Sequence, residues 1–137
     1  MSVRFENNSM AVKAAIEQAA IAYLYEASES LASQTADNTR VGTGDTKNAW
    51  QYTVDESKLE SKIGNTLENS IWEEFGTGEY ALHGDGRKGG WFYQDDKRNW
   101  HHTYGKKPNR ALQNAFNTLK NPLIRRAEEV LKTNLSD

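Results

Sequence analysis

From Ser9 to Ala36 the chain contains neither glycine nor proline, and Val12, Ile16, Ala19, Tyr23, Ala27 and Leu31 recur at steps of three and four. That spacing sets an apolar stripe along one helix, with Ser9 placed to cap its first turn. About 25 helical residues at 1.5 Å each span roughly 37 Å, close to the diameter of a whole domain of this size. The chain has 137 residues, 36% of them hydrophobic, enough for one core and thin for two. A single domain over residues 1–137 is therefore expected. A helix that crosses it from end to end must lie over a sheet or pack on a neighbouring subunit. Ala15, Ala19, Ala20, Ala22 and Ala27 permit close approach.

After the turn Gly42-Thr43-Gly44 the apolar period changes from helical to two. Trp50, Tyr52 and Val54 alternate with polar residues, as do Leu59 and Ile63 beyond Asp55–Lys58, which predicts a hairpin with one wet face. Leu67, Ile71, Trp72 and Phe75 return to helical spacing, and Gly76 suits the left-handed stop. Residues 76–90 hold six of the ten glycines, so a flexible Gly-rich loop is expected there. Trp91-Phe92-Tyr93 and Trp100-His101-His102-Thr103-Tyr104 flank a charged turn and predict a second hairpin. In the last segment Leu112, Phe116, Leu119, Leu123, Ala127 and Val130 form a helical stripe. Pro122 should kink that helix or restart it. The expected fold is α+β: a long N-terminal helix, an antiparallel β-sheet from two hairpins with a short intervening helix, and a long, kinked C-terminal helix on the same face of the sheet as the first.

Composition removes several classes of function. No cysteine is present, so there is no disulfide, thiolate nucleophile or zinc-finger ligand. No apolar run approaches the roughly 20 residues that span a bilayer, and the first residues lack a signal-peptide pattern. These features point to a soluble, cytoplasmic protein with no membrane partner. The net charge is -2, yet residues 1–83 carry 6 Lys/Arg against 13 Asp/Glu while residues 84–137 carry 11 against 6. An acidic part joined to a basic part suits head-to-tail self-association or a face for nucleic acid, unless the two intermix on the folded surface.

Individual motifs carry little chemistry. Gly84-Asp85-Gly86-Arg87-Lys88-Gly89 satisfies the spacing of a pyrophosphate loop, but no strand leads into it and no helix follows. His101 and His102 are adjacent, so on a strand they point to opposite faces and cannot share a metal. Glu73 and Glu74 could serve acid-base chemistry with a histidine, which leaves a small hydrolase or nuclease as a remote alternative. The second hairpin is a stronger candidate. Arg87, Lys88, Lys97, Arg98, Lys106, Lys107 and Arg110 interleave with Trp91, Phe92, Tyr93, Trp100 and Tyr104, the composition of a surface that binds phosphates and stacks bases. Nucleic-acid binding there is the main alternative function.

Three runs share their order with a family of small tailed-phage proteins. Val41-Gly42-Thr43-Gly44-Asp45-Thr46-Lys47-Asn48-Ala49 resembles that family's V-x-T-G-x-L-K-x-S element, which follows a long N-terminal helix. Glu73-Glu74-Phe75-Gly76-Thr77-Gly78 resembles its V-E-F-G-T-G signature. Pro108-Asn109-Arg110-Ala111-Leu112-Gln113-Asn114-Ala115-Phe116 resembles the P-x-P-F-L-R-P-A run that opens its C-terminal helix. The family is that of the lambdoid-type minor capsid, neck or tail-completion proteins of siphophages and prophages. The resemblance covers roughly residues 9–133. It departs at Asp45-Thr46, where the family has leucine in the second position, and at Arg110 and Asn114, which replace the motif's two later prolines.

The resemblance implies a head-tail joining protein without catalysis or cofactor. It would be one subunit of a homo-oligomeric ring of six or twelve copies, made in the bacterial host cytoplasm and then part of the virion. Its partners would be itself, the neighbouring neck and tail proteins, and the genomic DNA passing through the channel. Expected interface residues are Glu74, Phe75, Gly76, Thr77, Gly78, Trp91 and Trp100. Expected contacts to the DNA channel or an acidic partner are Arg87, Lys88, Lys97 and Arg98.

Overall fold

Thirty residues, Ser9–Asn38, form helix α1, about 45 Å long. Ser9 is its first helical residue; Asn8 holds the capping position without a side-chain bond. This is a computed structural model that describes residues 3, 7–40 and 44–135. Val41-Gly42-Thr43, most of the expected first turn, lies outside the described residues. The chain continues through a short helix α2 (Asp45–Asn48), which the period-two reading had not distinguished from the turn. Strands β1 (Trp50–Asp55) and β2 (Glu60–Asn65) follow, then helix α3 (Asn69–Phe75) and a 3-10 turn at Gly78–Tyr80. Strands β3 (Trp91–Gln94) and β4 (Trp100–Thr103) and helix α4 (Ala111–Leu135) complete the described chain.

This is the expected α+β order. The two hairpins stay separate two-stranded antiparallel sheets, β1-β2 and β3-β4. Leu59 lies in the first turn, with φ of 52°, not on a strand. The cause is Asp55, whose carboxylate accepts the Ser57 and Lys58 amides at 3.1 Å each and so ends β1 one residue past Val54. Opposed pairs Trp50–Asn65, Tyr52–Ile63 and Val54–Ser61 share the half-buried face of this hairpin. That face lies on α1, where Ser28 and Ser61 hydrogen-bond through their hydroxyls and the Trp50 indole donates to Thr39 Oγ1 at 2.8 Å.

The other side of α1 receives α4, which runs antiparallel to it. Asn38 Nδ2 donates to the Ala111 carbonyl at 3.2 Å, and Asn109 Nδ2 donates to the Asn38 carbonyl at 3.0 Å. Further along, the Tyr23 hydroxyl donates to the Leu123 carbonyl at 2.6 Å. Arg126 meets Glu26 at 3.1 Å. Because α1 has neighbours on two sides, its covered face is wider than the single stripe expected: Ala27, Ser28, Ala32 and Thr35 are its buried residues. Thr35 and Thr39 satisfy their hydroxyls on carbonyls one turn back. Helix α4 is unbroken from Ala111 to Leu135 with Pro122 inside it, so the helix does not restart there.

The interior is small. Among the described residues the buried apolar side chains are Ala27, Ala32, Ala111 and Ala115. No helix among them is long and apolar enough to cross a membrane. The chain exposes 10219 Å², against about 7,200 Å² for a compact monomer of its mass.

Candidate subunit interface

Helix α3 is folded with its apolar side outward. Its buried residues are Ser70 and Glu74, while Ile71 and Trp72 are 58% and 50% exposed. The cause is the start of α4, whose first amides have no partner within that helix. The Glu74 carboxylate accepts the Leu112 and Gln113 amides at 3.1 Å each, where the helix terminus also favours negative charge. Ser70 turns inward with it, its hydroxyl donating to the Leu67 carbonyl at 2.7 Å. Ile71, Trp72 and Phe75 stand about 100–200° around the helix from Ser70, so this pairing sends them away from the chain.

The next residues lock that arrangement. Gly76 ends α3 at φ 78°, and the extended Thr77 and the 3-10 turn after it pair with residues 104–106. The Thr77 amide donates to the Lys106 carbonyl at 2.9 Å, the Lys106 amide to Thr77 Oγ1 at 2.9 Å, and the Glu79 amide to the Tyr104 carbonyl at 2.8 Å. Two glycines make the approach possible: a Cβ on Gly78 would run into the Tyr104 carbonyl, and one on Gly105 into that of Thr77. Beside them Glu73 binds Lys106 and, at 3.0 Å, Arg40. Burial raises the Glu73 pKa, but these two cations outweigh it and hold the carboxyl below its ordinary value.

Residues 76–90, expected as a flexible loop, carry the 3-10 turn and several internal bonds. The Leu82 amide donates to the Phe75 carbonyl at 2.8 Å, and the Gly89 amide to Glu79 Oε1 at 2.8 Å. Gly86 packs on Gly78. The Gly84–Gly89 run leads into β3 and not into a helix. Between this loop and α3 lies an apolar groove of about 360 Å³, lined by Ile71, Trp72, Phe75, Ala81, His83 and Trp91, with Asp85 and Arg87 as its charged residues. Phe75 and His83 rings meet at 5.3 Å, and the Arg87 guanidinium lies 5.7 Å from the Trp91 ring. A larger depression of about 580 Å³ at the tip of the first hairpin is lined by Tyr25, Thr53, Asp55, Glu56, Lys58 and Lys62 among others. Its mixed charges offer no apolar anchor.

The second hairpin has little cover on either face. Phe92, His102, Gln94 and Trp100 share one side; Trp91, Tyr93 and His101 share the other. Phe92 is 70% and Trp100 69% exposed. Asp95 organises the turn, accepting the Lys97 and Asn99 amides at 2.9 and 2.8 Å and pairing with His101 Nε2 at 2.7 Å. The bond to His101, together with those amides, holds the Asp95 carboxyl below its ordinary value.

Of the seven residues expected at an interface, Phe75, Thr77, Trp91 and Trp100 retain exposed surface. Glu74, Gly76 and Gly78 are buried and act on partners inside the chain. Phe75 and Trp91 join in the groove, whereas Trp100 stands apart on β4. The four expected channel cations are divided: Arg87 and Lys88 sit at the base of the second hairpin, Lys97 and Arg98 in its turn. Lys88 already pairs with Glu79 at 3.8 Å. The pairs Glu26–Arg126, Glu73–Lys106 and Glu79–Lys88 each join the acidic part of the chain to the basic part, so the two parts intermix along those seams. Ile71, Trp72 and His83 were not expected in the groove. Their signal is that a seven-residue helix carrying three large apolar residues also carries a carboxylate needed elsewhere. The acid-base candidates do not converge: Glu73 and Glu74 are engaged as described, His101 is on Asp95, and His102 meets the Phe92 and Tyr104 rings edge to face. Among the described residues no three His, Asp or Glu side chains are grouped to hold a metal.

No protein-family model, curated protein or solved structure matches this chain.

Proposed function

We propose that this chain is a structural subunit of the head-tail junction of a tailed phage or prophage, joining the capsid connector to the tail as part of a ring and performing no catalysis. The phage assignment rests on the three sequence runs and their order. The observation that carries the assembly role is α3, which turns Ile71, Trp72 and Phe75 outward because its polar side is committed to α4. A monomer gains nothing from exposing that surface; a subunit gains binding area from it. The surplus exposed area and the small interior support the same reading. Its partners are other copies of itself, the adjoining neck and tail proteins, and the DNA in the channel.

The test is assembly. Phage lacking the gene should accumulate DNA-filled heads and free tails, and purified protein added to that lysate should restore joined particles. Normal virions in its absence would sink the reading. Reversing the charge of Arg87, Lys88, Lys97 and Arg98 together is expected to abolish that restoration while the fold is kept, if these cations face the channel or an acidic neighbour.

A second reading, nucleic-acid binding, draws support from Phe92 and Trp100 beside Lys97 and Arg98. It requires affinity for short DNA that falls steeply with salt, whereas a ring subunit should bind free DNA weakly.

A further inference from the structure

Two apolar faces lack partners among the described residues, and they lie toward opposite ends of α4. At its N-terminal end is the groove between α3 and the loop that follows it. Toward the other end Ile124, Leu131 and Leu135 are each about half exposed. These three fall within roughly 40° of one another around the helix. Leu119, Leu123, Ala127 and Val130, half-buried beside α1, lie on a different side. The 25 residues of α4 separate its ends by about 37 Å. Two different sticky faces at opposite ends favour head-to-tail association, because pairing either face with its own copy leaves the other uncovered.

Charge and area agree with one occupant. Glu128 projects on the side of the exposed stripe, between Ile124 and Leu131, and no ion pair or hydrogen bond among the described residues engages it. Arg87, in the groove, rests on the Trp91 ring and meets no carboxylate among the described residues. A subunit in a ring buries about 800 Å² at each of two interfaces, an area that the excess of exposed surface over a compact monomer can supply.

We propose that the groove receives the last turns of α4 from a second copy of this chain. Leu131 and Leu135 enter beside Trp72 and Phe75, Glu128 faces Arg87, and the contact repeats head to tail. This is helix-in-groove recognition. It rests on the ring-subunit reading and names the surface by which that ring closes.

Sedimentation velocity on the full chain from about 1 µM to about 1 mM tests it. The wild-type chain should form concentration-dependent species larger than a dimer. Trp72→Asp and Leu131→Asp should each weaken association at least about tenfold. An equal mixture of the two should stop at a heterodimer, since it holds one intact groove and one intact α4 stripe. Arg87→Glu should weaken association, and adding Glu128→Arg to the same chain should restore it. Ile71→Lys probes the same face should Trp72→Asp fail to fold. A wild-type chain that stays monomeric throughout, association untouched by these variants, or a mixture that forms no heterodimer overturns the proposal. Association that survives the variants, with head-tail joining still dependent on the protein, removes this contact and keeps the ring-subunit reading; failure of the joining test removes that reading whatever the groove does.

Discussion

Glu74 decides more of this structure than any other side chain. Its carboxylate closes the first turn of α4, turns Ser70 inward and leaves the apolar side of α3 facing outward. Replacing Glu74 with alanine should destabilise the fold by about 1–3 kcal/mol, the range for losing a buried capping carboxylate, and Glu74→Gln by less; urea denaturation measures both. Glu73 gives a separate, pH-dependent signature. Because Lys106 and Arg40 hold its folded pKa below that of the unfolded chain, its contribution is fully present above the unfolded value of about 4.3. It is lost as pH falls through the folded value. The partly exposed cations limit the contribution to about 1 kcal/mol. Wild type should therefore exceed Glu73→Gln in stability at neutral pH, and the gap should close on acidification to the low end of the carboxylate range. A gap independent of pH would mean that the pairs contribute nothing.

At the scale of elements, the two hairpins have unlike support. β1-β2 lies against α1 along its whole half-buried face, whereas β3-β4 keeps large aromatic rings in water, and a two-stranded ribbon is marginal on its own. Amides of β3 and β4 should exchange at least about tenfold faster than those of β1 and β2 in the free monomer. In the loop between, the Leu82 and Gly89 amides should be slower than those of His83 and Lys88, which donate to no acceptor among the described residues. Uniform protection across both hairpins would contradict this. The elements themselves were legible because their signals are local: no Gly or Pro in α1, period two in the first hairpin, aromatic runs around a charged turn in the second. What covers each face was not. The spacing of Ile71, Trp72 and Phe75 announces an apolar side to α3, but whether it points in or out depends on where Glu74 finds donors, and those amides lie 38 and 39 residues later. For the same reason the run of residues 74–78 read as a contact surface. Three of its five residues, Glu74, Gly76 and Gly78, are buried in the joint on which the exposed surface is mounted.

The whole molecule follows from α1. A 30-residue helix measures about 45 Å, longer than the roughly 36 Å diameter of a sphere with the radius of gyration of about 14 Å expected for a compact chain of this length. Its first half has no buried residue, and α4 has none after Ala115. The paired helices thus form an arm whose far end keeps apolar residues in water, and the buried residues lie on the second half of α1, the first turns of α4 and the α3-α4 joint. Small-angle X-ray scattering on dilute monomer should give a maximum dimension of at least about 45 Å and a radius of gyration above about 14 Å. Both should grow with concentration as the uncovered faces meet. A dilute chain that scatters as a sphere of the smaller radius would require α1 to break or fold back. The arm would then be unable to carry Leu131 and Leu135 away from the groove, and one subunit could no longer offer two separate faces to its neighbours.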